Sequence, residues 1–123
     1  MKQPISKGME SDRRPPVRGF KQRRHARYAA DMAVQVYAVR GARTDHERGR
    51  LVDVSEGGLC FVGARYLPPG TSVNIEVEGC RLVGEVRHCR LRERAAHVQF
   101  VTGVRIQQVL DGQECWKGLL QAR

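Results

Sequence analysis

The sequence predicts an all-β protein: a small six-stranded antiparallel barrel with a short C-terminal helix and a flexible basic N-terminal arm. Three observations carry this. Short apolar runs alternate with period two between glycine, proline and polar turns. No helix-length segment lies between those runs, which excludes a βαβ arrangement. Positive charge is gathered at one end: residues 1–28 hold nine basic and two acidic residues, and residues 29–123 hold 13 basic and 11 acidic.

Taken in order, residues 1–20 are broken by Pro4, Gly8, Pro15, Pro16 and Gly19 and keep neither helix nor strand period, so they read as a basic tail. The domain is expected over 21–123, beginning with the dense basic stretch 21–28. Residues 32–39 give the first strand, with Val34 and Val36 on one face. Residues 41–50 are polar and read as a turn. Residues 50–55 give the second strand, with Val52 and Val54 expected to share a core-facing side. After Glu56, Gly57 and Gly58, residues 59–62 form a short apolar strand. Pro68, Pro69 and Gly70 mark a turn. Val73, Ile75 and Val77 alternate cleanly, residues 80–91 form a longer strand with a bend expected at Gly84, and Val98, Phe100, Thr102, Val104 and Ile106 mark the last one. From Asp111, a plausible N-cap, a short amphipathic helix is expected to present Trp116, Leu119 and Leu120 to one side.

The chain of 123 residues suits one compact domain. No apolar run approaches the roughly 18 residues of a membrane span, and the first residues carry no apolar signal region. We therefore expect a cytoplasmic protein that is not inserted in a membrane. Cys60, Cys80, Cys89 and Cys115 form no Cys-x-x-Cys pair, and the four histidines show no ligand spacing, so no metal is expected and the cysteines read as free, mostly buried thiols. No serine-hydrolase elbow, phosphate-binding loop or dinucleotide fingerprint is present. His88 and Cys89 are neighbours, but adjacent strand side chains point to opposite faces, which makes them a surface histidine beside a core cysteine rather than a dyad. No catalysis and no cofactor are expected.

Two patterns remain. Asp53 and Ser55, two apart at a strand end, project to one face just before the glycine turn at Gly57 and Gly58. A carboxylate accepts two hydrogen bonds from the N–H edge of a guanine, a hydroxyl serves a phosphate or another base edge, and the glycines let backbone approach a ligand. Taken alone, the pattern equally suits an Asx or serine turn that closes a hairpin. Upstream, Arg23 and Arg27 are four residues apart on the basic arm. Guanidinium groups chelate phosphate, hydrogen-bond guanine and stack on purines, yet a basic tail also serves as a merely solvated one.

Together, Arg23 and Arg27 followed by Asp53, Ser55 and Gly58 resemble the PilZ domain family, bacterial receptors for the second messenger cyclic di-GMP. Thr102, Gly103, Val104, Arg105 and Ile106 are similar to a late strand of that family, departing at Ile106 where an aromatic is common. The resemblance covers about residues 21–121. It implies a non-catalytic barrel in which Arg23 and Arg27 grip phosphates and guanine faces, Asp53 and Ser55 hydrogen-bond guanine edges and phosphate, and Gly58 permits the turn; Arg24 flanks the motif as a further contact. It also implies cyclic di-GMP as ligand and a downstream effector protein as partner, with the receptor a monomer or weak dimer. The rival readings are a small barrel that binds nucleic acid through its arm, and a PilZ-like scaffold that binds only protein. Aromatic residues at 6% give no visible stacking platform for a nucleic acid, and the complete motif argues against a vestigial site.

Overall fold

The computed structural model describes residues 27–94 and 97–121. Six strands and one helix follow in order: β1 (Tyr28–Arg40), β2 (Arg43–Ser55), β3 (Gly58–Gly63), β4 (Ser72–Val77), β5 (Cys80–Arg94), β6 (His97–Asp111) and α1 (Gln113–Leu119). All neighbouring strands are antiparallel and close into a barrel of order β1-β2-β3-β6-β5-β4. Closure leaves no free sheet edge around the ring. The expected six-stranded fold with a terminal helix is what the chain adopts.

The alternation read from sequence has its physical counterpart in the barrel interior. Val34, Val36 and Ala38 of β1, Val73, Ile75 and Val77 of β4, and Leu82 and Val86 of β5 are all buried. They meet Leu51 and Val54 of β2, Leu59 and Phe61 of β3, and Val104 of β6 in one cluster. Trp116 and Leu119 of α1 join the same cluster, with Leu120 packed at its margin, as the helix periodicity requires.

Three local expectations are corrected. Residues 43–50 are strand, not turn; only Gly41 and Ala42 make the turn, with Gly41 at φ 64°. The segment pairs with β1 through contacts such as Tyr37 with His46, whose rings stack at 4.7 Å. Its polarity hid it, because its half-buried positions carry Asp45, Glu47 and Gly49 in place of apolar residues. Asp45 is bridged by Arg43 at 3.1 Å, and Glu47 Oε1 accepts the Ala64 N–H at 3.1 Å. Burial pushes the Glu47 carboxyl above its ordinary value.

The second correction is Val52, which is exposed while Leu51 and Val54 face the core. The β2–β3 register shifts between Leu51 and Asp53, and this bulge turns Val52 outward. The third is the start of α1. Gly112, at φ 78°, occupies the N-cap position, whereas Asp111 ends β6 and accepts the Gly112 N–H on its carboxylate at 2.9 Å.

Candidate functional site

The bulge at Val52 decides what the outer face of the barrel offers. It places Asp53 opposite Cys60, Cys60 opposite Gly103, and Gly103 opposite His88, so one row crosses β2, β3, β6 and β5. The adjacent row runs Ser55, Gly58, Arg105, Glu85. Each row has a glycine near its middle, where neighbouring groups pack directly on the backbone: His88 on Gly103 and the Val104 carbonyl on Gly58. The result is an open groove of about 840 Å³ whose lining includes Arg27, Asp53, Ser55, Gly58, Arg87 and Arg90. That volume lies within the range of small-molecule sites.

Arg27 stands where the chain enters β1, and its Nη1 donates to both Asp53 carboxylate oxygens at 3.2 and 3.4 Å. Both side chains keep solvent contact, with 48% and 25% of their surface exposed, so the pair is open to exchange with a ligand. Ser55 Oγ donates to the Gly58 carbonyl at 3.4 Å, and the Ile106 N–H donates to the Gly57 carbonyl at 2.8 Å. The first closes the β2–β3 turn on itself and the second fastens that turn onto β6. Glycine is required at 58: an added Cβ would meet the Val104 carbonyl oxygen.

Of the residues singled out in the sequence, the structure thus brings Arg27, Asp53, Ser55 and Gly58 to one groove. Arg23 and Arg24, with the rest of residues 1–26, lie outside the described residues. The paired carboxylate and hydroxyl sit on the outer face as their spacing predicted.

The opposite wall was not foreseen as part of the site. Arg87, His88, Arg90 and Arg105 line it, and His88 lies against Gly103, filling the space a side chain there would take. Arg105 Nη2 pairs with Glu85 at 3.3 Å. Among the described residues, neither Arg87 nor Arg90 has an acidic partner at ion-pair distance. Period-two alternation from the buried Val86 would turn His88 and Arg90 inward. A second bulge, between Val86 and His88, reverses them. Their charge marked them as surface residues, but only the register places them across from Asp53.

Cys60 forms part of the floor. Burial, and next the Asp53 carboxylate, push its thiol up, with Arg27, Arg90 and Arg92 acting in the other direction. It is therefore a neutral thiol at physiological pH, not a nucleophile. No group of three or more His, Cys, Asp or Glu side chains among the described residues could hold a metal ion. What the groove offers is a cluster of guanidiniums, one carboxylate, one hydroxyl and exposed backbone at a glycine turn, a set suited to an anionic ligand that also carries a hydrogen-bonding edge.

Comparison with known proteins agrees with the geometry. Among solved structures, the fold is similar to the PilZ domain of YcgR from Escherichia coli, determined with c-di-GMP, at a TM-score of 0.55 and 16% identity, covering 72% of this chain and 79% of that one. It is also similar to the inhibitor of motility MotI/DgrA of Bacillus subtilis, at a TM-score of 0.57 and 18% identity, covering 82% of this chain and 49% of that one, about half its length. No curated protein matches the sequence. The family model for the PilZ domain matches residues 21–120, nearly the whole predicted domain, and the chain belongs to the PilZ domain family.

Proposed function

We propose that this protein is a receptor for cyclic di-GMP that binds the dinucleotide in the groove between the Arg27–Asp53 pair and the β5–β6 wall. The observation that carries the reading is the meeting of Arg27, Asp53, Ser55 and Gly58 at one groove, although 26 residues separate the first two. Cyclic di-GMP presents two phosphodiester anions and two guanines. The guanidiniums meet the phosphates, and the Asp53 carboxylate, which repels phosphate, makes sense as a reader of the guanine N–H edge. A solved PilZ domain similar in fold was determined with c-di-GMP, which supports the same ligand class here.

On this reading the guanidiniums, the Asp53 carboxylate and the Ser55 hydroxyl of the groove hold and orient a ligand. Signalling then requires that binding change the surface offered to a partner protein. Arg23 and Arg24 are assigned to the ligand together with Arg27, on the strength of the motif. Calorimetric titration with cyclic di-GMP, with GTP and a generic oligonucleotide as controls, tests the assignment. Saturable binding of cyclic di-GMP well above both controls is expected. An oligonucleotide binding as tightly, with a steep salt dependence, would instead identify a nucleic-acid-binding barrel.

A further inference from the structure

Away from the groove, the end of the barrel where α1 begins carries two thiols side by side. The β4–β5 turn is formed by Glu78 and Gly79, with Glu78 in the left-handed region at φ 55°. The β6–α1 junction crosses directly over this turn. Gly112 packs so tightly on it that a Cβ there would strike the Gly79 carbonyl oxygen. Asp111 pairs with Arg81 across the sheet, and the Gly112 carbonyl accepts both the Trp116 N–H, at 3.0 Å, and the Cys80 thiol, at 3.5 Å. Cys80 lies on one side of this seam and Cys115, in the first turn of α1, on the other. The Cys115 sulfur is 3.0 Å from where a Cβ on Gly79 would stand, so it lies against the backbone of the residue next to Cys80. Cys80 is buried and Cys115 is exposed.

We propose that Cys80 and Cys115 form a reversible disulfide on exposure to a peroxide, making this seam an oxidation site that clamps α1 to the β4–β5 turn. A disulfide needs the two backbones close together, and here the Cys115 sulfur packs on Gly79, beside Cys80, while the Cys80 thiol reaches the Gly112 carbonyl at the start of α1. The exposed Cys115 is the peroxide-reactive partner. Its thiolate attacks one peroxide oxygen, the O–O bond breaks, and hydroxide leaves, giving a sulfenic acid. Cys80 sulfur then attacks the Cys115 sulfur; the S–S bond forms, the S–O bond breaks, and the departing hydroxide takes up the Cys80 proton as water. Two thiols are oxidised and one peroxide is reduced to two waters. Burial, and next the neighbouring Cys115, push the Cys80 thiol up to about 11, which leaves the first attack on peroxide to the exposed Cys115. The structure shows the pair in its reduced form.

The clamp should raise thermal stability, because it closes a long loop in the unfolded chain. Neither cysteine lines the groove, so the test does not depend on the ligand assignment. The full chain is treated with hydrogen peroxide, digested under non-reducing conditions and mapped by mass spectrometry, and its melting temperature is measured before and after. The expected result is one linked peptide joining Cys80 to Cys115, a melting temperature higher by several degrees, and reversal of both by dithiothreitol. Cys115→Ser, at an exposed position, should fold as wild type and show neither change; Cys115→Ala serves equally if the hydroxyl disturbs the turn. Sulfinic or sulfonic acid at Cys115 without a link, a Cys115–Cys115 dimer, or a link to Cys60 or Cys89 overturns the proposal.

Discussion

Asp53 is a carboxylate in a groove otherwise rich in guanidinium, and that anomaly is the most informative single residue in the protein. Its ion pair with Arg27 is solvent-exposed and contributes little to stability. A purely electrostatic phosphate site would be better without it. Two substitutions separate the roles. Arg27→Ala is expected to weaken cyclic di-GMP and cyclic di-AMP alike, since the lost charge-assisted contact is worth about 1.5–3 kcal/mol, or roughly tenfold or more in affinity. Asp53→Ala is expected to weaken cyclic di-GMP by a similar factor while leaving cyclic di-AMP unchanged or tighter. Calorimetry with both dinucleotides on both variants measures this, and an undiminished preference for guanine in Asp53→Ala removes the base-reading role. That Asp53 and Ser55 share the outer face was legible from their spacing alone. That Arg27 reaches Asp53 was not, because nothing in the sequence says where the arm crosses the sheet; the family resemblance supplied it.

Among the elements, β3 is held tightly at its start. Its first residue, Gly58, is hemmed in by the Val104 carbonyl and the Arg105 Cα of β6, so backbone meets backbone with no flexible side chain to yield. Gly58→Ala is expected to push β3 away from β6, lowering stability by about 1–3 kcal/mol as overpacking does and weakening ligand binding with it. Thermal melting and calorimetry on the variant check both, and a wild-type melting temperature would show that the strand end can move freely. Elements of this barrel were readable in proportion to how regularly they alternate. β4 alternates cleanly and was placed within a residue, because its partners on both sides keep register with it. The first half of β2 was missed because its half-buried positions carry Asp45, Glu47 and Gly49, held by ion pairs, backbone N–H groups and close packing on Phe61 that hydrophobic periodicity does not register. The bulges at Val52 and between Val86 and His88 were likewise invisible, because no glycine or proline marks the step on either strand, whereas the irregularity at Val83 and Gly84 falls where a glycine bend was expected; the first two place Asp53 and His88 on opposite sides of one groove.

At the scale of the whole molecule, the charge is divided between a nearly balanced barrel and a basic N-terminal segment of nine basic and two acidic residues. The barrel's groove already holds Arg27, Arg87, Arg90 and Arg105. Bringing further arginines of the same segment to that face costs like-charge repulsion unless an anion lies between them. The sequence of residues 21–26 holds almost no apolar surface with which to dock on its own. On the proposed reading a dianionic ligand changes the balance: Arg23 and Arg27 closing on two phosphates would neutralise the repulsion and hold the arm over the groove. Ordering costs about 1–2 kcal/mol per backbone residue, so an arm that closes on a ligand must form several strong contacts together, and the prediction is that its ordering is coupled to binding. The expected outcome is strong protection of the amides of residues 21–28 from hydrogen exchange when cyclic di-GMP is added, from near free-chain rates without it. The arm, the ligand and the rim of the barrel then form one continuous surface for a partner protein to read. Binding by calorimetry with no added protection in 21–28 would leave the receptor intact and eliminate the arm as its switch.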